Sequence, residues 1–116
     1  MLSVQIYQEQ SEDLLSEMTR ELNLVYYASD AANKMQFENA EELHEAVKRA
    51  MEICLHAGLS VRKNFKQIYK CSYEGVTYDW KLSVLGFYLV CLNGSTANPN
   101  TAHMQIDLLK NAALDL

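Results

Sequence analysis

Five cations form the most suggestive grouping in the sequence. Arg62, Lys63, Lys66 and Lys70 fall in a nine-residue stretch without an acid, and Lys81 follows shortly after. Cations so spaced contact phosphates, and the interleaved Tyr69, Tyr73, Tyr78 and Trp80 offer rings on which single-stranded bases stack. These five are the candidate nucleic-acid-binding residues. A second grouping has the opposite sign: Glu38, Glu41, Glu42 and Glu45 crowd the start of an expected helix. As a protein-interaction candidate it would meet a basic partner surface, where complementary charge raises association rate and specificity. A solvated helix start favoured by the dipole accounts for the same four acids without a ligand.

Catalytic chemistry finds no such grouping. His44, His56 and His103 are the only histidines, and no GxSxG, HExxH, P-loop or GxGxxG pattern occurs. His44 and His56 lie on one expected helix about 18 Å apart at 1.5 Å per residue, too far to share a metal. Cys54, Cys71 and Cys91 are odd in number and widely spaced, which fits neither a disulfide framework nor a CxxC knuckle. They are expected to be reduced and mostly buried, with Cys71 inert on the aromatic face of a hairpin. No catalytic residue, metal or cofactor is therefore expected.

The whole chain, 116 residues at a net charge of −5, is 49% hydrophobic with one Pro and four Gly. That describes one packed domain over 1–116, without low-complexity or linker segments. The longest apolar run, 82–92, is far short of the roughly 20 residues of a membrane span. Met1–Ile6 has no basic n-region or apolar run after it, so a cytoplasmic protein is expected. Charge is divided. Residues 1–58 hold 11 acids against Arg20, Lys34, Lys48 and Arg49, a net of −7, whereas 59–116 carry a net of +2. An acidic chain is not a strong non-specific binder of nucleic acid, though it can carry a local basic patch.

The elements that would position these residues follow from caps and periodicity. Leu2, Val4 and Ile6 alternate weakly, as in an edge strand. Ser11 caps a helix whose apolar stripe is Leu14, Leu15, Met18 and Leu22, breaking near Asn23. The run 24–27 is apolar but unassignable. Ser29 or Asp30 caps a short helix to Met35, with Ala28, Ala31, Ala32 and Met35 inward. Asn39 and Glu42 form a capping box for a helix whose stripe is Leu43, Ala46, Val47, Ala50, Ile53, Cys54 and Ala57, closed by Gly58. A loop holds the basic run. A hairpin turning at Glu74-Gly75 pairs Tyr73 with Val76, Ser72 with Thr77, Cys71 with Tyr78, Lys70 with Asp79 and Tyr69 with Trp80. One face is aromatic, expected to be core under the 43–57 helix, with a stacking platform as the alternative. Ser83 caps a helix to Asn93 that Gly94 closes. Asn98-Pro99 begins the last, with Ala102, Ile106, Leu109 and Ala113 inward. The sum is an α+β fold of about five helices with a small antiparallel sheet.

Two stretches resemble a known family. Tyr26–Phe37 is similar to the aromatic-x-Ala-Arg-Asp-Leu-Ala-x-x-Leu-Gly-Tyr segment of phage antirepressor and BRO amino-terminal domains. Leu82-Ser83, Tyr88-Leu89-Val90, Asn93-Gly94, Pro99, Ala102 and Gln105 resemble the Leu-Ser-Arg-Tyr-Ala-x-Tyr-Leu-Ile-x-x-Asn-Gly-Asp-x-x-Lys-Pro stretch of the damage-inducible protein D family, related to the BRO domains. Ala46–Phe65 fits the same layout, with Asn64-Phe65 in place of His-Phe. The resemblance covers about 26–110, leaving 1–25 as a variable extension. It implies a BRO-N-like fold with a helix-turn-helix-like element, and a regulatory role in DNA transactions. Ser29 and Val84 stand where the family has Arg, Gln36 where it has Gly and Ser95 where it has Asp, and its longer basic hairpin loop is here Glu74-Gly75.

A recognition helix beginning with Glu38, Glu41, Glu42 and Glu45 would repel phosphate. The expected function is thus a non-enzymatic regulatory module that binds a protein partner, a DNA-binding regulator or recombinase, through its acidic face. Direct nucleic-acid binding through the 62–70 run and the aromatic hairpin is the alternative. Apolar stripes at Leu14–Leu22 and Leu108–Leu116 also allow a homo-oligomer.

Overall fold

A computed structural model describes residues 14–112, in which six helices and a three-stranded antiparallel sheet make an α+β architecture. Helix α1 covers 14–23. Strand β1 is Tyr26–Tyr27, followed by α2 (Ala28–Met35), α3 (Ala40–His56) and the single turn α4 (Val61–Asn64). Strands β2 (Phe65–Ser72) and β3 (Gly75–Leu82) form the hairpin, and α5 (Val84–Leu92) and α6 (Pro99–Asn111) complete the chain. The expected strand over 2–6 and the Ser11 cap lie outside the described residues.

Small residues let the helices approach closely. Ala28, Ala31, Ala46, Ala50, Cys54, Val90 and Cys91 are fully buried, and Met35, Val47, Phe65, Leu82 and Phe87 fill the rest of the core. Helix α5 lies among α2, α3, α6 and the sheet. Its nine residues carry no charge, and Ser83 caps it by accepting the Gly86 N–H. At its other end the Arg49 guanidinium donates to the Asn93 carbonyl from Nε (3.1 Å) and Nη2 (2.6 Å). A cation there satisfies an orphan carbonyl and suits the negative end of the dipole.

Several expected boundaries move. The α2 cap is Tyr27, because the Asp30 carboxylate reaches back to the Tyr27 N–H at 3.0 Å and starts the helix at Ala28. Residues 26–27, unassignable from periodicity, pair with Lys81 and Leu82 as β1. The Asn39 cap on α3 holds, but the Glu42 carboxylate passes Asn39 and takes the Glu38 N–H at 2.7 Å. Along α3, Ala46, Val47, Ala50 and Cys54 are buried, whereas Ile53 and Ala57 are exposed. Ser60 caps α4, so the basic run lies on one helical turn and β2 instead of a loop. Helix α6 turns Thr101 and Met104 inward, leaving Ala102, Ile106 and Leu109 exposed; Ala113 lies outside the described residues.

The hairpin register differs from expectation by two residues. Tyr73-Glu74 is the turn and Ser72 faces Gly75, which sets Cys71 opposite Val76, Lys70 opposite Thr77, Tyr69 opposite Tyr78 and Ile68 opposite Asp79. A type I′ turn at Glu74-Gly75 would force Glu74 to positive φ, which its Cβ disfavours. Here Gly75 alone takes that strain, at φ 120°. Moving the turn by one residue shifts every partner by two, so each side chain keeps its face.

Gly94 also has another role than closing α5. A Cβ there would fall on Thr101 Oγ1 and lie 2.6 Å from Phe37 Cε1, so glycine lets α6 and the segment after α2 meet. Gly94→Ala is expected to cost about 1–3 kcal/mol through overpacking. The check is a lower urea midpoint at unchanged slope. An unchanged midpoint would mean that Phe37 and Thr101 part freely.

Candidate functional site

Helix α1 determines the state of the basic candidates. It meets the body through its polar side. Glu17 pairs with Arg62, and Glu21 pairs with Lys66 and with Lys81, the last at 3.0 Å. Arg20 donates from Nε to the Arg62 carbonyl (2.9 Å) and from Nη2 to that of Phe65 (3.3 Å), capping α4. Leu14, Leu15, Met18 and Leu22, the expected apolar stripe, are 54–77% exposed. Lys70 pairs with Asp79 at 3.2 Å and lies over the Tyr27 ring. Lys63 has no acidic partner among the described residues. The fold thus brings Arg62, Lys66 and Lys81 together under two carboxylates of α1, which no local spacing announces.

The acidic candidates divide. Glu42 is a structural group: its oxygens accept from the N–H groups of Glu38 and Ser95 and from Asn98 Nδ2. Burial pushes its carboxyl up, but these bonds outweigh that and hold it below the usual range. Glu45 lies 3.9 Å from Arg49. Glu38 and Glu41 are exposed and make no ion pair among the described residues. The short Gln36–Asn39 link joins α2 to α3, with these acids at the start of the second helix.

The aromatic face of the hairpin is core only at its base. Phe65 and Leu82 are buried and Trp80 packs against the core, but Tyr69, Tyr73, Val76 and Tyr78 are 57–111% exposed. The hairpin outruns α3, so its outer half stands in solvent, and the expectation of a fully packed face is corrected. Cys71, on the same face, is exposed as well. Cys54 and Cys91 are buried as expected, burial pushing the Cys91 thiol up to about 11.

Sequence reasoning missed a groove of about 330 Å³ between α3 and β3. Ala40, Leu43, His44 and Val47 form one wall, and the consecutive residues Val76–Trp80 form the other. Consecutive residues point to opposite faces of a strand, so the groove follows the strand's edge. Among the described residues that edge is open, because β1 pairs only with Leu82 and Lys81. Beyond Tyr27 the chain becomes α2, whose first turn is tied to Asp79. The Asp79 carboxylate accepts from Ser29 N–H (3.2 Å), Ser29 Oγ (2.6 Å), Trp80 N–H (2.7 Å) and Lys70. Burial pushes this carboxyl up, and the Ser29, Trp80 and Lys70 bonds more than offset it, leaving it below its ordinary value.

Among the described residues no three His, Cys, Asp or Glu side chains are placed to hold a metal, and no helix is long and apolar enough to cross a membrane.

Two predictions follow from these pairs. Asp79→Ala orphans the Ser29 donors and should lower stability by about 2–4 kcal/mol, measured by urea unfolding; a loss under 0.5 kcal/mol would show that α2 does not depend on the carboxylate. Hydrogen bonds from Lys66 and Lys81 hold the Glu21 carboxyl at about 2, against an ordinary 4.5. A depressed carboxylate stabilises above its unfolded value and ceases to as pH falls through the folded one. Amide protection over 14–23 should therefore decline between about pH 4.5 and 2, and Glu21→Gln should abolish that dependence; a protein whose protection is flat with pH would contradict the assignment. A scan of protein-family models and searches of curated proteins and solved structures find no match to this chain.

Proposed function

We propose that this chain is a non-catalytic protein-interaction module, and that its binding surface is the groove between α3 and β3 with the acids at the start of α3. One contrast carries the reading. Of the five candidate phosphate contacts, Arg62, Lys66, Lys70 and Lys81 already bond to carboxylates of the same chain, whereas Glu38 and Glu41 are exposed at the start of α3 and make no ion pair among the described residues. A phosphate would have to displace Glu17, Glu21 or Asp79 to reach these four cations. A basic protein segment meets no such competitor at Glu38 and Glu41 among the described residues. The groove lies at the small end of the roughly 300–1,000 Å³ range of ligand sites, and its apolar walls suit side chains better than a reacting centre.

The regulatory role in DNA transactions implied by the antirepressor, BRO and damage-inducible protein D resemblance belongs to the same proposal, with a DNA-binding regulator as the partner type. Local features support it. Gln36 is left-handed at φ 53°, the conformation glycine adopts most easily, where the family has Gly. Ser83, which the second motif shares, caps α5.

The test has two arms. A 12-residue peptide array probed with the labelled protein should retain basic peptides, and Glu38→Gln/Glu41→Gln/Glu45→Gln should weaken that retention at least fivefold. Anisotropy of labelled single- and double-stranded DNA at about 50 and 200 mM salt should show no binding. Salt-sensitive micromolar binding to DNA, with charge-indifferent peptide retention, would replace this reading with direct nucleic-acid recognition.

A further inference from the structure

Beyond the protein-interaction surface, we infer that Arg62, Lys66 and Lys81 form a phosphate-binding site for a nucleic-acid strand, and that α1 is a displaceable cover occupying it with its own carboxylates. Placement supplies the first argument. Lys66 and Lys81 are register partners on β2 and β3, so their side chains rise from the same face of the sheet. They grip the two oxygens of one carboxylate: Lys66 bonds to Glu21 Oε1, and Lys81 to Glu21 Oε2 at 3.0 Å. Arg62, on the adjoining turn α4, pairs with Glu17. Charge-assisted bonds converging from three elements suit a phosphate as well as a carboxylate. Lys63, exposed on the same turn as Arg62, has no acidic partner among the described residues and gives a polyanion its first contact.

Spacing names the occupant. Glu17 and Glu21 lie four residues apart on α1, about 6 Å along its axis at 1.5 Å per residue. Neighbouring phosphates of an extended nucleotide strand keep a similar separation. The two carboxylates therefore set out negative charge as consecutive phosphodiesters do, whereas the headgroups of a lipid surface are not linked in a line.

The way α1 is held makes it a cover that can leave. Among the described residues, Glu17, Arg20 and Glu21 bond it to α4 and the sheet. Exposed ion pairs of this kind are weak and screened by salt. Leu24 and Val25 join α1 to β1, and Leu24 is buried, so the chain stays anchored there when the helix parts from the sheet. Tethering keeps the carboxylates at high effective concentration, which excludes single phosphates. A strand of linked phosphates is multivalent in its turn and can compete.

The probe is a fluorescein-labelled 12-nucleotide oligothymidylate, titrated with the full chain by anisotropy at about 50 and 200 mM salt. The unaltered chain should not bind it at micromolar protein. Glu17→Gln/Glu21→Gln should bind with a micromolar Kd at the lower salt. That affinity should fall about 15–20-fold at the higher salt, as counterion release from three neutralised phosphates of a single strand requires. Glu38→Gln/Glu41→Gln gains the same charge elsewhere and should behave as the unaltered chain. Adding Lys66→Gln/Lys81→Gln to the first variant should weaken its binding at least tenfold. Amide exchange over 14–23 in that variant should quicken when the oligonucleotide is added, while β2 and β3 stay protected. No binding by Glu17→Gln/Glu21→Gln, with β2 and β3 protected, overturns the site. Equal binding by the unaltered chain or by the Glu38/Glu41 variant overturns the role of the α1 carboxylates. Binding with unchanged exchange over 14–23 overturns displacement of α1. Tighter binding to phosphatidylserine vesicles than to the oligonucleotide overturns the nucleic-acid assignment. None of these outcomes alters basic-peptide retention, on which the protein-interaction reading turns.

Discussion

A carboxylate inside the sheet governs how this molecule is arranged. Asp79 is only 7% exposed, and burying a charge without partners would cost several kcal/mol. Four donors meet it: two from Ser29, the Trp80 N–H and Lys70. Because both Ser29 donors belong to the first turn of α2, satisfying the charge pulls the chain out of the sheet just after Tyr27. That ends β1 after two residues, directs α2 onto α5 and leaves the 75–78 stretch of the β3 edge without a strand beside it among the described residues. The core, the short strand and the groove thus share one electrostatic cause.

A second constraint is that the charged residues of the amino-terminal half serve as connectors. Arg20 and Arg49 each satisfy carbonyls at a helix end, and Glu17 and Glu21 bridge to α4, β2 and β3. Exposed ion pairs contribute about 0–1 kcal/mol each. Helices in proteins are usually stabilised by an apolar face turned inward. Helix α1 reverses that arrangement, with its leucines outward, and so depends on contacts that salt and acid weaken.

Sequence legibility followed the range of the interactions. Caps were readable because they act within four residues: Asn39, Ser83 and Asn98 accept the N–H groups that spacing assigns to them. The small inward residues of α2 and α3 and the alternation of the hairpin were readable for the same reason. The faces of the hairpin survived a wrong turn because parity tolerates a shift of two. What was not readable depends on contacts across the chain. Asp79 to Ser29 spans 50 residues and Lys81 to Glu21 spans 60. No local rule reveals that a basic run will be covered by a helix 45 residues upstream, or that Gly94 is needed to clear Phe37.

Those long-range pairs also separate the two surfaces that looked alike as charge clusters. The cationic side contains its own counter-ions, supplied by α1, so a polyanion there competes with carboxylates held by the same chain. Glu38 and Glu41 carry no ion pair, and the 75–78 stretch of β3 has no second strand beside it, among the described residues. Exposed pairs are individually weak, so the preference does not rest on their strength. It rests on directionality: an ion pair re-forms with any phosphate or carboxylate, whereas an open strand edge beside a helix accepts only an extended backbone in register. The cationic side is thus internally compensated, whereas the 75–78 stretch of β3 keeps one edge without a strand partner among the described residues.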